Sequence, residues 1–115
     1  MKGFDPVALY GARDARKMDR YTQFAIATAM EAQAQAGLKI DEANRDRVGA
    51  LIGTGIGGIG TLLEQAEVKR ERGPDRVSPF LVPMMISDSA PGVLAIRFGA
   101  RGPNMGWPYG KVCGG

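Results

Sequence analysis

Between a short apolar run and a charged segment the chain reads Gly53-Thr54-Gly55-Ile56-Gly57-Gly58, a formal G-x-G-x-x-G. Between a strand and a helix, that spacing lets backbone amides and a helix N-terminus hold a pyrophosphate. A dinucleotide site also needs a second strand ending in an acidic residue about 20 positions on. Here that span is a charged, helix-like segment ending at Gly73-Pro74. Two other readings stay open: a tight turn in which backbone packs on backbone, and a wall of an apolar ligand tunnel, since Ile56 and Ile59 interrupt the glycines.

A second group is cationic. Arg13, Arg16, Lys17 and Arg20 fall at i, i+3, i+4 and i+7, the spacing of one helix face. Cations at a helix N-terminus oppose the macrodipole, and Asp14 and Asp19 offset part of that cost. The stripe is either a solvated face of mixed charge or a dock for a phosphate-bearing or acidic partner. Fifteen Lys and Arg against twelve Asp and Glu give a net charge of +3, too mild to argue for nucleic acid.

The absences constrain chemistry further. With no histidine and one cysteine, Cys113, the chain assembles neither a Cys/His zinc set nor an intrachain disulfide nor a nucleophile with its usual base. No cofactor or metal is expected, and the cysteine usage fits a reducing, cytoplasmic setting. Cys113 stands among glycines with only Lys111 near it in sequence. Residues 1–10 lack the apolar core of a secretory signal. The stretch from Leu51 to Leu63 is broken by five glycines, so no membrane span is expected.

These residues need elements to hold them. From Arg13 to Ala36 there is no Pro or Gly, and Met18, Ala25, Ala29, Ala32 and Ala36 recur at helical spacing. That pattern predicts one long helix capped by Gly37. Arg47 to Gly53 reads as a central strand buried on both faces. Ile59 to Arg72 reads as a second helix. Prolines 74, 79, 83 and 91 exclude a continuous helix through an apolar stretch containing Phe80-Leu81-Val82 and Met84-Met85-Ile86. Ser89 is placed as the cap of a third helix running to Phe98, with Pro91 in its first turn. After Asn104 neither the helical nor the strand period is visible. At 115 residues, one domain is the limit.

These segments, in this order, resemble the beta-ketoacyl-[acyl carrier protein] synthase II family, whose fold is thiolase-like and α/β. The matching text is Ala15-Arg16-Lys17-Met18-Asp19-Arg20, then V-G-A-L-I-G-T-G-I-G-G-I-G from Val48 to Gly60, and Gly73-Pro74 with Val77-Ser78-Pro79-Phe80. Val82-Pro83-Met84-Met85-Ile86 and Arg97-Phe98-Gly99-Ala100-Arg101-Gly102-Pro103-Asn104 complete it. On this resemblance residues 1–105 are part of the N-terminal half of such a synthase, and 106–115 are a divergent tail explained by a frameshift or an appended segment.

The family performs a decarboxylating Claisen condensation of an acyl chain with malonyl-[acyl carrier protein], using a cysteine and two histidines. The resemblance places its cysteine, within T-A-C-A-[ST]-G, seven residues beyond Asn104. Here that position is Lys111, and Cys113 stands at the ninth. The chain by itself is therefore expected to be inactive, with no catalytic residue of its own. The resemblance also implies that Ile56 gates the acyl tunnel and that Phe80 and Leu81 reach the partner subunit's tunnel at a homodimer interface. Leu81 replaces the usual Phe. It implies that Arg13, Arg16 and Lys17, with Arg76 near another such position, dock the acidic acyl carrier protein. The alternative is a non-catalytic module binding acyl carrier protein, or a nucleotide through the Gly53–Gly58 loop.

Overall fold

Asp19 breaks the chain where the alanine-rich pattern predicts an unbroken helix. In the computed structural model, which describes residues 3–108, α1 spans Pro6–Tyr10, α2 spans Ala12–Ala15 and α3 spans Arg20–Ala36. Asp19 is extended at ψ 158 and its Oδ1 accepts the Tyr21 amide at 3.1 Å, so it caps α3 instead of continuing α2. Gln23 makes the break tolerable. Its side-chain amide donates to the Ala15 and Met18 carbonyls at 3.0 and 3.2 Å, satisfying acceptors that the interrupted helix exposes. Gly37 closes α3 in the left-handed conformation, as its position in the sequence implies.

Strand β1, Ala50–Thr54, pairs in parallel with β2, Asn104–Pro108, in the register Ala50↔Asn104 through Thr54↔Pro108. The expected burial on both faces of β1 is corrected here. Ala50 is buried and Ile52 packs on the core, but Leu51 is 65% exposed. Among the described residues the sheet has two strands, with helices packed on one face. The β2 strand is the element that the text after Asn104 concealed. Gly106 and Pro108 are poor strand formers, and the parallel pairing to β1 supplies what local propensity lacks.

Between the strands run α4 (Ile59–Arg72), α5 (Leu81–Met85) and α6 (Ser89–Phe98), with a 3-10 turn at Pro74–Arg76; a second 3-10 turn, Arg45–Arg47, precedes β1. The sequence places α4 and the end of α6 correctly, and Pro91 does sit within the first turn of α6. The cap does not fall on Ser89. Asp88 occupies the N-cap, and its carboxylate accepts the Gly106 amide of β2 at 2.8 Å. The core joins Tyr10, Met18, Ile26, Ala50 and Leu94, with Phe4, Met30, Ile52 and Phe98 packed around them. Ile26 is fully buried, a burial that contributes about 1.5–3 kcal/mol.

Candidate functional site

The cationic residues do not form one helix stripe. Arg13 lies on α2, Arg16 and Lys17 lie in the turn that follows, and Arg20 opens α3. Arg20 turns away onto aromatic rings, its guanidinium 5.8 Å from the Phe4 centroid and 5.0 Å from that of Phe24. The Arg16 Nε–H reaches back to the Ala12 carbonyl at 3.0 Å. Arg13, Arg16 and Lys17 all remain exposed. The i, i+3, i+4, i+7 pattern misled because it presumes a continuous helix.

Lys17 instead meets a residue from the other candidate group. Its ammonium lies 5.6 Å from the centroid of the Phe80 ring, within cation–π range. Phe80 is the N-cap of α5 and is 44% exposed. Next to it, Leu81 is half-buried while Val82 and Ile86 are exposed. The candidate carrier dock and the candidate dimer segment are thus contiguous through one cation and one ring. Arg76 belongs elsewhere. It ends the 3-10 turn that packs on α4, whose last turn already carries Lys69, Arg70 and Arg72.

The glycine loop is closed by its own chain. A Cβ on Gly57 would meet the Met85 carbonyl, and one on Gly58 would meet that of Met84, while Gly57 also needs φ +87. This is the backbone-on-backbone turn among the three readings of the loop. Its amides are used internally: Gly57 donates to Thr54 Oγ1 at 3.0 Å and Gly58 to the Met85 carbonyl at 2.8 Å. At the N-terminal turn of α4, the Asp19 carboxylate takes the place an anion would hold, with Oδ2 accepting both the amide and the hydroxyl of Thr61. A pyrophosphate therefore finds these donors occupied, which leaves the nucleotide reading without support. Ile56 stands at the exposed side of this turn, 67% accessible.

The sequence reading missed Asp19 as the residue that organises the site. A signal was present, since an Asp ahead of Arg-Tyr-Thr is a strong N-cap residue even inside a helix-favouring run. Tyr21 was missed as well; its hydroxyl donates to the Ile86 carbonyl at 2.5 Å and ties α3 to the end of α5. Cys113 and Lys111 lie outside the described residues. Among the described residues no three His, Cys, Asp or Glu groups gather as metal ligands, and no helix is long and apolar enough to cross a membrane.

A parallel strand pair bridged by helices, with a glycine turn locked onto a short apolar helix, defines a mixed α/β architecture, and its likeness to solved ketosynthases places it in the thiolase-like fold class. The chain belongs to the beta-ketoacyl synthase family: residues 2–107 match the family model for the beta-ketoacyl synthase N-terminal domain. It is 44% identical over 104 residues to the 3-oxoacyl-[acyl-carrier-protein] synthase 2 of Synechocystis sp., covering 90% of this chain and 25% of that protein. The same-named synthase of Staphylococcus aureus is 46% identical over 104 residues, with 90% and 26% covered. The chain thus spans about a quarter of the length of these curated relatives. Among solved structures, a type II PKS ketosynthase in complex with its acyl-carrier protein superposes with a TM-score of 0.80 at 20% identity, over 90% of this chain and 30% of that one. The ishigamide ketosynthase/chain length factor gives 0.70 at 26% identity, over 99% and 32%.

Proposed function

We propose that this chain is the portion of a 3-oxoacyl-[acyl carrier protein] synthase that supplies acyl-tunnel wall, dimer contact and carrier dock, while the condensing chemistry lies outside it. The observation carrying this reading is the family match across residues 2–107 together with relatives 44% and 46% identical. In the whole enzyme the reaction is a decarboxylating condensation of an acyl chain with malonyl-[acyl carrier protein] in a cytoplasmic homodimer. The divergent tail read from the sequence at residues 106–115 overlaps the family match in its first two residues, 106 and 107.

Within that reading Ile56 gates the acyl tunnel, and Phe80 with Leu81 meets the second subunit. Arg13, Arg16 and Lys17 dock the carrier, with Arg76 contributing from a separate element. The exposure of Ile56, Phe80 and Val82 supports surfaces that a larger assembly would cover. The exposed cations around the turn after α2 support an acidic partner, and a similar fold is known in complex with an acyl-carrier protein. A thermal-shift comparison tests the reading: acyl carrier protein should raise the melting temperature at low salt, and a dinucleotide should not. A shift with the dinucleotide alone would overturn it.

A further inference from the structure

The contact between Lys17 and Phe80 joins two surfaces that the proposed function treats separately. Both ends rest on fixed supports. The Lys17 amide is bonded to the Asp14 carbonyl at 3.1 Å, and two residues later the buried Asp19 anchors the chain to α3 and α4. On the other side the Phe80 amide donates to Ser78 Oγ at 3.2 Å, and its carbonyl accepts from Met84 at 3.0 Å within α5. The glycine turn and Tyr21 hold α5 from beneath. A lysine side chain alone is a flexible, strongly hydrated charge that loses much rotamer freedom on binding. The half-exposed ring of Phe80 is a surface on which that charge rests before any partner arrives.

We propose that Phe80 is a positioning residue for carrier docking: its ring preorganises the Lys17 ammonium toward an acidic partner, so that docking at the cationic turn is energetically coupled to the apolar segment from Phe80 to Ile86. This rests on the docking reading of Lys17. An ammonium over a ring face keeps N–H donors directed outward, so the pair presents charge without consuming it. Preorganisation then improves affinity by reducing the ordering cost at the moment of binding. For an exposed cation–π pair the coupling amounts to about two- to fivefold in Kd.

The test is a double-mutant cycle on the full chain, titrated with acyl carrier protein at low salt, using Lys17→Ala, Phe80→Leu and the pair. Phe80→Leu should weaken binding about two- to fivefold when Lys17 is present and have no effect in the Lys17→Ala background. Phe80→Tyr, which keeps the ring face, should restore parental affinity. Independently of any partner, the Lys17 side-chain methylene resonances should lose their ring-current shift in Phe80→Leu and keep it in Phe80→Tyr. An equal effect of Phe80→Leu in both backgrounds, or no effect with Lys17 present, overturns the coupling while leaving docking intact. Parent protein that binds no carrier at all overturns the docking reading itself, and the coupling with it.

Discussion

The Asp19 carboxylate accepts the backbone amide and the hydroxyl of Thr61 across 42 residues of sequence, while its other oxygen caps α3 through the Tyr21 amide. One buried side chain thereby terminates the cationic turn, starts α3 and fills the N-terminal turn of α4. Replacing Asp19 by Ala removes two helix caps and leaves Thr61 without its acceptor, so about 2–4 kcal/mol of stability should be lost. Thr61→Val, which keeps the amide contact, should cost about 1 kcal/mol. Denaturant unfolding of both variants checks this, and a loss in Asp19→Ala no greater than in Thr61→Val would remove Asp19 from its central place.

Much of the architecture was legible because it follows from local rules. The Pro-free and Gly-free run gives α3, Gly37 stops it, and the charged amphipathic run to Gly73-Pro74 gives α4. What stayed hidden depends on partners distant in sequence. The break at Asp19 is stabilised by Thr61 and Gln23, and β2 exists because β1 is beside it. The exposure of Leu51 likewise reflects how few strands surround it, which its own apolar run does not encode. Of the site, the residue types were readable but the pairing of Lys17 with Phe80, 5.6 Å apart and in different elements, was not.

The glycine turn should resist even the smallest side chain. Gly58→Ala would drive a methyl into the Met84 carbonyl and toward the Asp19 side chain, and should destabilise by about 1–3 kcal/mol. Gly55→Ala, two residues before Gly57 in the same loop, meets nothing nearby and should stay within about 0.5 kcal/mol of the parent. Thermal melts of the two variants side by side make the comparison; equal losses would contradict the locked contact with α5.

Tyr10 should give the fold an alkaline limit. Burial raises its phenol above the ordinary value of 10.0, against the opposing pull of Arg97 and of the Ala27 backbone. A folded value above the unfolded one means that the protonated form is favoured by the fold. Its stabilisation is complete below about pH 10 and is lost as pH rises through the folded value. The hydroxyl also donates to the Gln23 carbonyl at 2.6 Å. Tyr10→Phe should therefore be less stable than the parent by about 0.5–1.5 kcal/mol at neutral pH and should show a shallower decline above pH 10. Unfolding midpoints measured across that range decide it, and parallel pH profiles would exclude the assignment.

The 115-residue chain alone should neither condense nor decarboxylate, since it has no histidine to assist proton transfer or activate a thiol. It should also self-associate, because Phe80, Val82 and Ile86 present an exposed apolar strip beside the cationic turn. Malonyl-[acyl carrier protein] turnover by the purified chain would contradict the first expectation. A concentration-independent monomer by light scattering, with no binding of a hydrophobic dye, would contradict the second.

Carrier docking by Arg13, Arg16 and Lys17 is tested most directly by titrating acyl carrier protein into the parent chain and into the Arg13→Ala, Arg16→Ala, Lys17→Ala triple variant, at low and moderate salt. All three side chains are exposed, so each charge should contribute about 1 kcal/mol or less and affinity should fall as salt screens it. The expected result is salt-sensitive binding by the parent, no detectable binding by the variant, and a circular dichroism spectrum showing that the variant keeps its fold, since Arg16 and Lys17 lie in the turn after α2 and outside any helix. Unchanged binding in the variant, or parental binding insensitive to salt, would contradict the docking assignment.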